Sequence, residues 1–150
     1  MVQGFFRHYF SLHRALISKL NELLAEYGLS YSLWTVIFYV KTHGSSTLVD
    51  IAHFYNVKKP VITRTVQNLE EKGIIRQIPG ADKREKLVEL TEAGEQIYKI
   101  CRKLIDELED EIMKNISEEE KAAIFESLPQ IRANVLAIGG NNNEEQQFMD

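Results

Sequence analysis

Residues 58–91, KKPVITRTVQNLEEKGIIRQIPGADKREKLVELT, change their period halfway, and that change decides the fold. Up to Lys72 the apolar residues Val61, Ile62, Val66 and Leu69 recur at helical steps. The spacing predicts a helix from Lys59 or Pro60, with these four facing inward and Thr63, Arg64, Gln67 and Asn68 facing outward. Proline is cheap at a first helical position, because that N–H has no partner anyway. Gly73 ends the helix. Beyond it, residues 74–78 and 86–90 read as two strands around a polar tip, residues 79–85.

Upstream, Thr47 with Asp50 three residues on resembles a capping box for a short helix. Leu48, Ile51, Ala52, Phe54 and Tyr55 supply its apolar face, and Asn56-Val57-Lys58 forms a tight turn. Two short helices joined by such a turn make a helix-turn-helix, here about 47–72. The hairpin at about 74–90 adds a wing. Downstream, Thr91 caps a long helix to about Asn115, striped by Ile97, Cys101, Leu104, Ile105, Leu108 and Ile112. Ser117 with Glu120 opens a last helix to about Ile138, which Pro129 is predicted to kink or break. Toward the start, residues 5–26 and 31–42 read as helices, the second apolar nearly all round and so buried. The fold class is therefore mainly α (α+β): a winged helix-turn-helix with a two-stranded β-wing. One domain, 1–138, is expected, with a DNA-binding unit at 30–91, dimerisation helices at 5–26 and 92–138, and a polar, disordered tail at 139–150.

Composition narrows the function classes. The chain has 150 residues, 44% of them hydrophobic and 27% charged, as a folded globular protein has. No apolar run reaches the ~18–20 residues of a membrane span, and the start lacks the order of a secretory signal. The single cysteine, Cys101, excludes an intramolecular disulfide and a multi-cysteine zinc site. A cytoplasmic setting is the default. The net charge of −4 argues against nucleic acid, but its distribution does not. Residues 58–86 carry eight basic and four acidic groups, and residues 87–126 carry five basic and twelve acidic.

The basic segment suits B-DNA. A helix fits the major groove, where each base pair shows a distinct donor and acceptor pattern. Arg64 can reach phosphate or guanine, Gln67 and Asn68 can read adenine edges, and Thr63 can bond phosphate or touch a thymine methyl. Lys58 and Lys59 stand at the helix start, where phosphate is attracted. Lys83 and Arg84 make a narrow basic tip suited to the minor groove.

The stretch 61–75, the tip Asp82-Lys83-Arg84 and the run Val88-Glu89-Leu90-Thr91-Glu92-Ala93-Gly94 together resemble the MarR-type winged-helix transcriptional regulators. That family has an Asp-x-Arg tip between its wing strands, then a Val-x-Leu-Thr-x-x-Gly entry into a long helix. The helical order extends the resemblance to about residue 138. It implies an obligate homodimer, a pseudo-palindromic double-stranded operator, and repression relieved by a small ligand or by oxidation. It assigns Arg84 to the minor groove and Asp82 to a supporting ion pair. Where the family often has serine at the start of the recognition helix, this chain has Lys58 and Lys59.

Dimerisation has support in the residues themselves. Phe5, Phe6, Tyr9 and Phe10 at one end, and Ile131, Val135, Leu136 and Ile138 at the other, exceed what a single small winged unit covers. A pocket for a small phenolic or other aromatic effector is a candidate near His13, Tyr31 and Trp34, with an aromatic core as the competing reading. Cys101 lies on the apolar stripe of the long helix, which favours packing over redox sensing. His8, His13, His43 and His53 lack metal-ligand spacing, so no metal or cofactor is expected. No catalytic motif is present, which leaves a DNA-binding repressor or, as the alternative, a winged-helix interaction module without DNA binding.

Overall fold

A computed structural model describes residues 4–82 and 84–139. The elements follow in the order α1 (Phe5–Ala25), α2 (Tyr31–His43), β1 (Ser46–Thr47), α3 (Leu48–Tyr55), α4 (Lys59–Glu71), β2 (Ile75–Pro79), β3 (Lys86–Leu90), α5 (Glu92–Ile112) and α6 (Glu118–Ala137). Two compact units divide within α5, after Glu107.

In the first unit, α2 is the centre. Leu33, Trp34, Val36, Ile37, Tyr39 and Val40 are all buried, which is why its sequence is apolar on nearly every side. Ser30 caps it by accepting the Leu33 N–H, and the Tyr31 N–H donates to Asn21 Oδ1 of α1 at 2.8 Å. Leu24 of α1, Ile51 and Ala52 of α3, Ile62, Val66 and Leu69 of α4, Val88 of β3, and Cys101 and Ile105 of α5 complete one core. Tyr55 hooks α3 to α2 by donating its hydroxyl to the Thr35 carbonyl at 2.8 Å, and burial pushes that phenol up to about 12.

The Thr47–Asp50 capping box is formed in both directions. Asn56 takes the left-handed conformation, φ 53°, that turns the chain from α3 into α4, a conformation asparagine tolerates better than most residues. The sheet is larger than the sequence implied. Thr47, read as a cap, and Ser46 before it also pair with Leu87 and Val88, giving the antiparallel order β1-β3-β2. The wing hairpin keeps the register Ile75↔Leu90 to Pro79↔Lys86. The wing is thereby anchored to the body on the side away from its own hairpin partner, with the fully buried Val88 in the central strand.

Thr91 caps α5 as expected: its hydroxyl accepts the Gly94 N–H at 3.0 Å and donates to the Gly73 carbonyl at 2.6 Å. The helix stops at Ile112 rather than near Asn115, which instead takes a left-handed conformation, φ 67°.

In the second unit, Ser117 and Glu120 cap α6 reciprocally. The expected break at Pro129 is absent, and the helix runs from Glu118 to Ala137 with the proline inside it. Proline removes one main-chain donor, but residues 125–130 are all exposed, so water can serve the carbonyl that loses its partner. The helix has no buried residue. No helix among the described residues is long and apolar enough to cross a membrane.

Candidate nucleic-acid interface

The interface begins where the α3–α4 turn delivers Lys58. It is the N-cap of α4, and its side chain makes no capping bond. Serine would have satisfied an amide there; lysine does not. Pro60 has no N–H, and the Val61 N–H donates to the Lys58 carbonyl at 3.0 Å. The attraction for phosphate at this end therefore comes mainly from the two exposed lysine side chains, Lys58 and Lys59, rather than from a ring of free amides.

Along α4, Ile62, Val66 and Leu69 are buried, and Arg64, Gln67 and Asn68 are exposed, as the helical period requires. Two positions depart from the expectation. Val61, expected inward, is 48% exposed. At 100° per residue it falls about a right angle away from the Ile62–Val66–Leu69 stripe, on the flank of the outward face next to Asn68. Thr63 is half-buried, and its hydroxyl donates to the Lys59 carbonyl at 3.1 Å. Its proton is engaged within the helix, which leaves its methyl as the group most free for a neighbour. Thr65 does the same toward the Val61 carbonyl at 3.0 Å.

The wing carries the second projection. Its tip is closed by main-chain bonds from Gly80 N–H to the Glu85 carbonyl and from Glu85 N–H to the Asp82 carbonyl, both 2.9 Å. The Asp82 carboxylate accepts the Arg84 N–H at 3.2 Å. The aspartate thus shapes the tip through the backbone of Arg84, whereas the resemblance cast it in an ion pair. Lys83 lies outside the described residues. Arg84 is exposed. Below the tip, Arg76 pairs with the directly opposite Glu89 at 2.6 Å, and Gln77 donates to Glu70 of α4, tying the wing to the recognition helix.

Some cations of the molecule are neutralised within it. Lys19, Lys41, Arg76, Arg102 and Lys121 each hold a carboxylate within 3.3 Å. Among the described residues, Lys58, Lys59, Arg64 and Arg84 have no carboxylate partner. Their charge is available to an external anion.

The effector candidates are not brought into one ring cluster. Trp34 is only 6% exposed and stacks on Tyr98, with centroids 5.6 Å apart, so it is a core residue. His13 stacks on Tyr9 at 5.6 Å, and Tyr31 is exposed. Among the described residues no three His, Cys, Asp or Glu side chains are grouped to hold a metal.

Cys101 is fully buried, and burial pushes its thiol pKa up, the reverse of what a reactive thiolate needs. Two results should follow. Alkylation by iodoacetamide should be limited by unfolding, and a fast reaction of the native protein would contradict the burial. The folded state holds the thiol protonated, so this contribution to stability is whole below the unfolded value of about 8.5 and declines as pH rises past it.

A winged helix-turn-helix presenting an unpaired basic helix end and tip is the arrangement of a transcriptional regulator that binds DNA. Comparison with known proteins agrees. Residues 29–86 match the MarR family. The chain is 37% identical over 110 residues to an uncharacterized HTH-type transcriptional regulator, YwoH, of Bacillus subtilis, covering 73% of this chain and 80% of that one. A mutant MarR from E. coli complexed with operator DNA superposes with a TM-score of 0.79 at 25% identity, covering 86% of this chain and 94% of that one. A Staphylococcus aureus MarR in complex with salicylate and kanamycin gives 0.80 at 25% identity, covering 89% and 91%. The chain belongs to the MarR family, whose members are transcription regulators and not enzymes.

Proposed function

We propose that the protein binds a pseudo-palindromic operator as a homodimer and represses transcription until a small aromatic ligand releases it. The observation that carries the reading is the set of unpaired cations on two adjacent projections, Lys58, Lys59 and Arg64 on α4 and Arg84 on the wing. In the proposed complex α4 lies in the major groove, where Arg64, Gln67 and Asn68 meet base edges and Thr63 offers its methyl. Lys58 and Lys59 hold phosphates at the groove wall, and Lys83 and Arg84 carry the wing to the minor groove. Asp82 fixes the tip through the Arg84 amide.

Open apolar surface supports the dimer. On α1, Phe5, Phe6, Tyr9 and Phe10 are exposed, and among the described residues their rings stack on one another and on His13. On α6, Phe125, Leu128, Val135, Leu136 and Ile138 are exposed. A second copy covering each of these faces removes a cost that water otherwise imposes. Two-fold symmetry then places two recognition helices ~34–36 Å apart, in successive major grooves. A ligand of the salicylate kind suits the aromatic character of His13 and Tyr31, while Trp34 belongs to the core and does not line such a site.

Selection of duplexes from a random double-stranded library with purified protein tests this. The enriched sites should show two inverted half-sites about 10–10.5 base pairs apart, each complex should hold two chains, and a small phenolic acid should release them. Failure to enrich any motif would remove the reading.

A further inference from the structure

We propose that Val61 is a specificity-determining residue that reads the 5-methyl group of a thymine in each half-site; this rests on the DNA-binding reading above. The recognition helix buries three of its four branched aliphatic or leucine side chains almost completely: Ile62 is 4% exposed, Val66 1% and Leu69 0%. Val61 is 48% exposed on the same helix. It belongs to the outward face with Arg64 and Asn68, three and seven residues on, and so shares their surroundings when the helix is bound.

An exposed valine in this place has a specific chemical complement. Beside the hydrogen-bond donors and acceptors of the major groove, the thymine 5-methyl is the one methyl group that the base edges present. Valine has one strongly preferred rotamer in a helix, so its two methyls are already positioned and little freedom is lost on contact. The neighbouring polar groups do not compete for that spot. The Thr65 hydroxyl donates back to the Val61 carbonyl, and the Thr63 hydroxyl donates to the Lys59 carbonyl. Lys58 and Lys59, one turn before, supply the phosphate attraction that holds this part of the helix against the groove.

The test uses a duplex selected by the wild-type protein, resynthesised with deoxyuridine replacing thymine at one position at a time. Uracil keeps every hydrogen-bonding group and lacks only the methyl. For the wild type, at least one thymine per half-site should show about a fourfold loss of affinity on replacement, the value of burying one methyl. Val61→Ala should bind the thymine duplex more weakly and be indifferent to uracil at that same position. The site is exposed and alanine favours helix, so the variant folds. Wild-type indifference to uracil at every position overturns the proposal, as does a Val61→Ala variant that keeps the full thymine preference. Both of those results leave the DNA-binding reading intact. If no duplex can be selected at all, both fall together.

Discussion

Gly94→Ala is expected to destabilise the protein by about 3 kcal/mol or more and to lower Tm by about 10 °C. Gly94 sits in the first turn of α5, beneath the strand entry. A Cβ built there would stand 2.1 Å from the Ile74 carbonyl oxygen and 3.1 Å from its carbon, and both are backbone atoms. The carbonyl has little freedom to retreat, because it accepts the Thr91 N–H at 3.0 Å. The Gly94 N–H is itself held by the Thr91 hydroxyl. Relief would require the start of α5 to lift off the end of α4 and the entry to β2, and the wing would lose its fixed base. Thermal unfolding of the variant measures the effect, and a Tm within a degree or two of the wild type would show that the close approach is not as described. Alanine is otherwise the better helix former, so propensity alone predicts the opposite sign.

The second large effect belongs to Arg84. Arg84→Ala should weaken binding to all duplexes about equally and reduce the steepness of the salt dependence by about 1.8, one phosphate-scale contact from each of two wings. The residue is exposed, has no carboxylate partner among the described residues, and is held to the tip only through its backbone, so the substitution leaves the hairpin intact. Gln67→Ala should instead relax base preference at one position and leave the salt slope unchanged. Affinities for the selected duplex and for unrelated duplexes, at several salt concentrations, separate the two. If Arg84→Ala relaxed sequence preference without changing the slope, the assignment of wing and helix would be reversed.

Much of this was readable from residues with local causes. Capping pairs such as Thr47–Asp50 and Ser117–Glu120 announce themselves within four residues, and the change of period at Gly73 marks helix and hairpin without help from the rest of the chain. What escaped the sequence depends on partners distant in the chain. Ser46 and Thr47 are too short a run to show alternation, and their pairing exists only because Val88 and Leu87 lie opposite. Val61 looked like core because it is apolar beside Ile62; one 100° step turns it off the buried stripe, and side-chain type cannot say which of two adjacent aliphatics wins. Pro129 stays inside a helix because its surroundings are exposed, a condition that a breaker rule does not see. For the candidate interface, residue type and spacing pointed to Lys58, Lys59, Arg64, Gln67, Asn68 and Arg84 as outward residues, and all six are exposed. The absence of carboxylate partners among the described residues, the spent hydroxyl of Thr63 and the backbone role of Asp82 are matters of geometry.

The central claim is that unpaired cations on α4 and the wing engage the phosphates of a duplex in two symmetric copies. The most direct measurement is the affinity for a selected duplex as a function of salt between about 50 and 300 mM. On this account Lys58, Lys59 and Arg84 from each of two chains bring six cations to the duplex and displace its counterions, so a log–log plot should be straight with a slope of about −5 or steeper. A flat plot would contradict the account and leave the fold as an interaction module that does not read DNA.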